Sequence, residues 1–205
     1  MNYTSTYPSK SDADVILKWA GDMNPGAWVD HSRNTARAAE KIASMCGLDS
    51  EKAYSLGMLH EVGRYESRRD LHHVIAGYKM LRDNYSDAAR ICVTSAFVVP
   101  DINNRTERND CTSEETQFIR SFLKSVEYDD YDRLIQLCTV MASSDGVGML
   151  EKKLSDEALK NGLNTYSLEN WRKLFEIKKG FDDKCGGIYD LFRDEIIKTS
   201  IGIQG

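Results

Sequence analysis

Apolar residues recur along this chain at intervals of three and four almost from end to end, and no segment sustains the alternation of a half-buried strand. The pattern predicts an all-α protein of roughly nine or ten helices. A first helix is expected through Val15, Ile16, Leu17, Trp19 and Ala20, capped by Asp12 or Asp14 and broken by Asn24-Pro25-Gly26. Pro25 suits the opening of the next helix, where a missing N–H removes no hydrogen bond. That second helix should run to Cys46 and stop at Gly47, with Trp28, His31, Thr35, Ala39, Ile42 and Cys46 on one stripe. His31 therefore faces inward. Asp49 or Ser50 caps a third helix whose inner face carries Ala53, Leu56, Gly57 and His60.

A fourth helix near Leu71 to Asn84 aligns His73, Gly77, Met80 and Leu81, and a fifth, Asp87 to Val99, stacks Ala88, Ile91, Cys92, Ser95 and Val99. Pro100 to Asp110 is polar and reads as a surface loop. Thr112 with Glu115 is a capping box, followed by a stripe of Phe118, Ile119, Phe122, Leu123 and Val126. Asp129-Asp130 opens a helix through Leu134, Ile135, Cys138, Thr139 and Ala142 that frays at Ser143-Ser144-Asp145-Gly146. Three more helical stretches are expected: Met149 to Asn161, Ser167 to Phe181 with Trp171, Leu174, Phe175, Lys178 and Phe181 inward, and Ile188 to Thr199. With no internal repeat, residues 1–205 read as one domain. Its core lies at about 24–145, with the helices of 147–200 packed on it.

Composition narrows the partners. The chain has 205 residues, 41% hydrophobic and 29% charged, as in ordinary globular proteins. Its net charge of −5 and pI near 5.4 argue against a nucleic-acid polymer as partner. No apolar run approaches the ~18–20 residues of a membrane span, and Met1 to Lys10 lacks the apolar stretch of a signal peptide. Five widely spaced cysteines without a C-x-x-C pair read as reduced, mostly buried thiols of a cytoplasmic protein.

The chemistry concentrates at Gly57-Met58-Leu59-His60-Glu61-Val62-Gly63-Arg64. Imidazole and carboxylate suit a divalent transition metal, and His31, His60 and His73 all face inward on separate helices. A single inward histidine is more often a hydrogen-bonded core residue. Three, with a carboxylate beside one of them, favour a shared site.

Three segments carry a resemblance: Asn24-Pro25-Gly26-Ala27-Trp28-Val29-Asp30-His31-Ser32, Leu59-His60-Glu61-Val62-Gly63-Arg64 and His73-Val74-Ile75-Ala76-Gly77-Tyr78. Together they resemble the HD-domain superfamily of metal-dependent phosphohydrolases, most closely its small stand-alone bacterial members. Ile91-Cys92-Val93-Thr94-Ser95-Ala96-Phe97, the run Tyr128 to Cys138 and the C-terminal aromatic residues continue it. The resemblance implies a divalent metal (Mn, Mg, Ni, Co or Fe) held by an early His, a His-Asp doublet and a late Asp, and a nucleotide or other small phosphate ester as substrate. On that basis His31 and His60 are metal ligands, and His73 is a former second-metal residue.

Three positions depart from the family pattern: the doublet Asp is Glu61, a second-metal His is Ser95, and the late Asp is Thr139. Glu61 keeps the charge but shifts the carboxylate by about 1.5 Å. Thr139 removes a ligand outright. Asp145 is the rescue candidate; six residues are about 600° of ideal helix, leaving it about 120° from Thr139. Two readings stay open: a degenerate HD domain with weak or no hydrolysis and a binding or regulatory role, or an active mononuclear phosphohydrolase. In the second, Glu61 and Arg64 are catalytic, Arg64 holding the phosphate. A metal-free structural protein is a more distant third. Arg33, Arg37, Arg68, Arg69, Arg105, Arg108 and His72 read as surface residues, and oligomeric state is not encoded in any recognisable pattern.

Overall fold

The structure, a computed structural model, describes residues 5–66, 70–104 and 108–201; Arg68, Arg69 and Arg105 lie outside these ranges. Ten α-helices account for nearly all regular structure among the described residues. In chain order they are α1 (Lys10–Met23), α2 (Trp28–Cys46), α3 (Ser50–Leu59), α4 (His72–Leu81), α5 (Ser86–Thr94), α6 (Ser113–Ser125), α7 (Asp130–Met141), α8 (Leu150–Asn161), α9 (Ser167–Cys185) and α10 (Arg193–Ile196). The fold class is all-α, as the apolar spacing predicts.

Several boundaries follow directly from side-chain chemistry. Gly47 ends α2 in the left-handed conformation at φ 74°, and the Asp49 carboxylate caps α3 by accepting from the Lys52 N–H. Thr112 and Glu115 form the expected reciprocal capping box on α6, and Asp129 with Asp132 forms another on α7. Other expectations fail for local reasons. Ser9, rather than Asp12 or Asp14, caps α1, whose buried face is Ala13, Leu17 and Ala20; Val15 and Trp19 are exposed. Helix α5 stops at Thr94, and where it ends Gln136 Nε2 of α7 donates to the Thr94 and Phe97 carbonyls at 2.8 and 3.0 Å. Helix α9 runs one turn further than expected, to Cys185, and buries Leu174, Ile177 and Phe181 while Phe175 faces out. Ile188 to Thr199 is not one helix but a 3-10 turn, the short α10 and a π-type turn.

Around Ser143–Gly146 the chain does not simply fray. Ala142–Ser143 (β1) and Gly146–Val147 (β2) pair antiparallel, with Ala142 opposite Val147 and Ser143 opposite Gly146. Gly146 takes φ 130°, a conformation that L side chains rarely adopt.

Helix α2 is the axle. It packs against α3, α7 and α9, while α3 also meets α1, α5 and α7. The α2–α3 contact is close because Gly57 has no side chain: a Cβ there would lie 2.5 Å from Ala36 Cα. A smaller apolar cluster of Leu71, Val74, Val93, Phe97, Ile102, Ile119 and Leu123 joins α4, α5 and α6. The buried Asp132 carboxylate binds the Arg90 guanidinium and accepts from Thr94 Oγ1 at 2.6 Å, tying α5 to α7 across the bundle. The thiols of Cys46 and Cys185, both half-buried, meet where α2 and α9 end, and burial pushes the Cys46 thiol up to about 12.

Candidate metal centre

His60 follows the last residue of α3, where the chain passes into a 3-10 turn, Val62–Tyr65. This turn fits against α4 only because residue 63 is glycine: a Cβ would lie 2.0 Å from the His73 carbonyl oxygen and 2.3 Å from Gly77 N. The same close contact brings the His60-Glu61 doublet beside His73. The partly buried stripe of α2 supplies His31 from the opposite side.

His60 Nδ1 donates to the Gly57 carbonyl at 2.7 Å, which leaves Nε2 as a lone pair 3.3 Å from His31 Nε2. His31 is itself hydrogen-bonded to the backbone of Ala142, so the β1 strand orients it. Burial pushes the His60 imidazole down to about 4 and also lowers His31, against the opposing pull of Glu61 in each case. Both rings are therefore neutral at pH 7, the state in which imidazole binds a metal. Burial works against ionisation of Glu61, but Arg64, with His31 and His60, outweighs it and holds the carboxyl well below the usual carboxylate range. Arg64 Nη2 donates to Glu61 Oε1 at 2.8 Å. One donor atom from each of His31, His60 and Glu61 lies within 4.8 Å of the other two. Two neutral nitrogens and an ionised oxygen, oriented by backbone hydrogen bonds, are a donor set that fits one divalent cation.

These residues open onto a cavity of about 470 Å³, whose walls also carry His73, Ser95 and Thr139. His73 Nδ1 donates to the Asp70 carbonyl at 2.6 Å, and burial lowers its imidazole to about 4, with Arg64 adding to the effect. Ser95, which stands where the family pattern has a second-metal histidine, lines the same cavity with a hydroxyl. Thr139 lines the same cavity as His31 and His60, and its hydroxyl is buried without a hydrogen-bond partner among the described residues. Asp145 sits exposed at the tip of the β1–β2 hairpin, outside the lining of this cavity, where its backbone N–H donates to Ser143 Oγ.

The cavity contains features that periodicity did not single out. Lys153 of α8 lines it, its ammonium pKa lowered by burial, and it is close enough to lower the pKa of His31. Asn170 of α9 and Asn104 of the α5–α6 connection line it too, beside Trp171, which the inward stripe of α9 already included. The only sequence signal for Lys153 was its place beside the buried stripe of Leu150 and Leu154. Arg37 keeps a partly exposed side chain, as a surface residue would, and its guanidinium also forks onto both Glu195 oxygens at 2.5 and 2.7 Å, joining α2 to α10. Arg33 pairs with Asp30 on the exposed side of α2.

The helical bundle thus gathers two histidines and a carboxylate at one cavity. Residues 28–120 match the family model described as HD domain, which supports membership of the HD-domain superfamily and suggests a metal-dependent phosphohydrolase-like family. No solved structure matches the chain.

Proposed function

We propose that this protein is a single-domain, cytoplasmic HD-domain protein with a reduced metal centre, weak or no hydrolytic turnover, and a binding or regulatory role toward a small phosphorylated molecule or nucleotide. The observation that carries this reading is Thr139. It lines the cavity shared by the three donors, yet it offers a buried, unpartnered hydroxyl where the family pattern calls for a carboxylate. His31, His60 and Glu61 would hold the cation; when bound, it would polarise a phosphoryl oxygen and acidify water. Arg64 neutralises Glu61, and Lys153 lines the cavity, which supports an anionic ligand. The net charge of −5 speaks against a nucleic-acid polymer as that ligand. Five cysteines, all free thiols in the structure, support the cytoplasmic reading.

A second reading, an active mononuclear phosphohydrolase, is favoured by the fact that both imidazoles are neutral and oriented for a metal. There Glu61 and Arg64 take catalytic roles. The two separate in one experiment: metal analysis of the purified protein, with a phosphatase screen in Mn²⁺, Mg²⁺, Ni²⁺ and Co²⁺. The reduced-centre reading expects at most marginal turnover in the parent and new activity in the Glu61→Asp, Thr139→Asp double variant. Robust parental turnover that His60→Ala abolishes would establish the second reading instead.

A further inference from the structure

A different group of ligating side chains gathers at the N-terminal end of α4. His72, Cys111 and Glu115 each place one donor atom within 4.8 Å of the other two. They come from α4, the α5–α6 connection and α6, and none belongs to the cavity described above. We propose that these three residues form a second cation site of thiolate type, fitted to Zn²⁺, that fastens the Asn109–Thr112 approach of α6 to the start of α4.

The ring of His72 supplies the second, independent observation. Its Nε2 lies 3.3 Å from Glu66 Oε2, and its Nδ1 lies 3.6 Å from Glu115 Oε2. A proton on Nε2, donated to Glu66, leaves Nδ1 as a lone pair aimed at a carboxylate oxygen. Two acceptors then face each other, an arrangement that a cation between them resolves. A carboxylate behind a ligating imidazole is the usual device for fixing its tautomer and raising its basicity, and Glu66 stands in that position.

Glu115 is held in place for the role. Its Oε2 accepts from the Thr112 N–H at 3.1 Å, and its Oε1 accepts from Lys79 Nζ at 2.8 Å. Lys79 foremost lowers the Glu115 carboxyl to about 2, so Glu115 is ionised throughout the physiological range. The Asp110 carboxylate accepts from the Leu71 and His72 N–H groups, both at 2.8 Å, which anchors the residue next to Cys111 against α4. A sulfur, a nitrogen and an oxygen are ligand types that suit Zn²⁺, and the thiol releases its proton to solvent on binding.

Co²⁺ is the probe, because a thiolate-to-cobalt charge-transfer band appears only when sulfur is bound. Titrated anaerobically into the full chain, Co²⁺ should give that band in the parent and in His60→Ala, and one equivalent of Zn²⁺ should bleach it. Cys111→Ser should abolish it, and Glu66→Gln should weaken Co²⁺ binding by about 10-fold or more. The Glu66 variant leaves all three ligands intact, so it tests the arrangement even where Cys111→Ser folds poorly. No band in the parent would overturn the site and leave His72 simply in polar contact with Glu66 and Glu115. A band that survives in Cys111→Ser would overturn it equally, by moving the thiolate elsewhere. Loss of the band in His60→Ala with Cys111 intact would overturn the proposal, because the thiolate signal would then depend on the first centre rather than on an independent site.

Discussion

His31 Nε2 and His60 Nε2 face each other across 3.3 Å, and the Nδ1 of His60 is already committed to the Gly57 carbonyl. With both rings neutral, the pair is joined either by a His31 Nε2–H donating to the His60 Nε2 lone pair or by a cation shared between the two nitrogens. That pair is the strongest structural argument for a metal. His31→Ala removes one ligand and leaves the α2–α3 contact at Gly57 untouched. Since changes one shell further out already cost about 10–100-fold, the affinity for Mn²⁺ or Ni²⁺ should fall at least ~100-fold by equilibrium dialysis. Affinity within threefold of the parent would remove His31 from the centre.

The pH dependence of stability follows from the same buried rings. His60 and His73 sit at about 4 in the folded chain, below an unfolded value near 6.5. Between those values the unfolded chain binds more protons, so stability rises with pH across that interval. For the metal-free protein in chelator, denaturant midpoints should be flat above about pH 7, fall between about 6.5 and 4, and show no further histidine contribution below. Replacing His73 with Gln should flatten the slope. An unchanged slope would mean that His73 titrates normally.

The sequence revealed the centre more clearly than its surroundings. His31, His60 and His73 could be placed inward because α2, α3 and α4 are regular and helical spacing alone fixes which way their residues point. The capping box of Thr112 and Glu115 was legible for the same reason, being a purely local hydrogen-bond pattern. What escaped was set by distant partners. Gln136 meets the end of α5 from another helix, Glu195 captures Arg37 across 158 positions, and the β1–β2 hairpin needs the Ser143–Gly146 register. Thr139 could be assigned to the cavity from its register, yet Lys153 could not, because a lysine beside an apolar stripe ordinarily reaches water.

Gly63 makes a prediction about the fold beneath the site. Alanine there would put its Cβ 2.0 Å from the His73 carbonyl oxygen and 2.3 Å from Gly77 N, both backbone atoms that cannot swing aside. The 3-10 turn would have to lift off α4, separating Glu61 from His73. Overpacking of this kind costs roughly 1–3 kcal/mol or more, and the rigid neighbours put Gly63→Ala at the upper end. Chemical denaturation checks this directly. A variant as stable as the parent would show that the turn and α4 are not in tight contact.

Thr112→Ala tests whether the capping box holds α6. The threonine hydroxyl accepts from the Glu115 N–H at 3.2 Å, and the Glu115 carboxylate returns the bond to Thr112. Removing one half should cost about 1 kcal/mol in denaturant unfolding. If the site at His72, Cys111 and Glu115 holds a cation, Zn²⁺ should recover part of that loss, because it fixes Glu115 independently of the cap.

Arg64 is the sharpest test of how Glu61 is kept ionised. The guanidinium donates to Glu61 Oε1 at 2.8 Å and is the first-ranked influence holding the carboxyl down against burial. Arg64→Met keeps most of the side-chain volume but leaves a buried carboxylate without its partner, a change that typically costs about 3–5 kcal/mol. Burial alone would then raise the Glu61 carboxyl above its unfolded value, so the folded chain would take up a proton that the unfolded chain does not. By linkage this contribution favours the fold as pH falls, opposite in sign to that of His60 and His73. In chelator, the variant should therefore lose stability less steeply than the parent between pH 6.5 and 5. Mn²⁺ should stabilise the variant more than the parent at pH 7, since the cation would replace the missing positive charge. A variant whose pH profile and metal response both match the parent would show that Arg64 does not set the charge of Glu61.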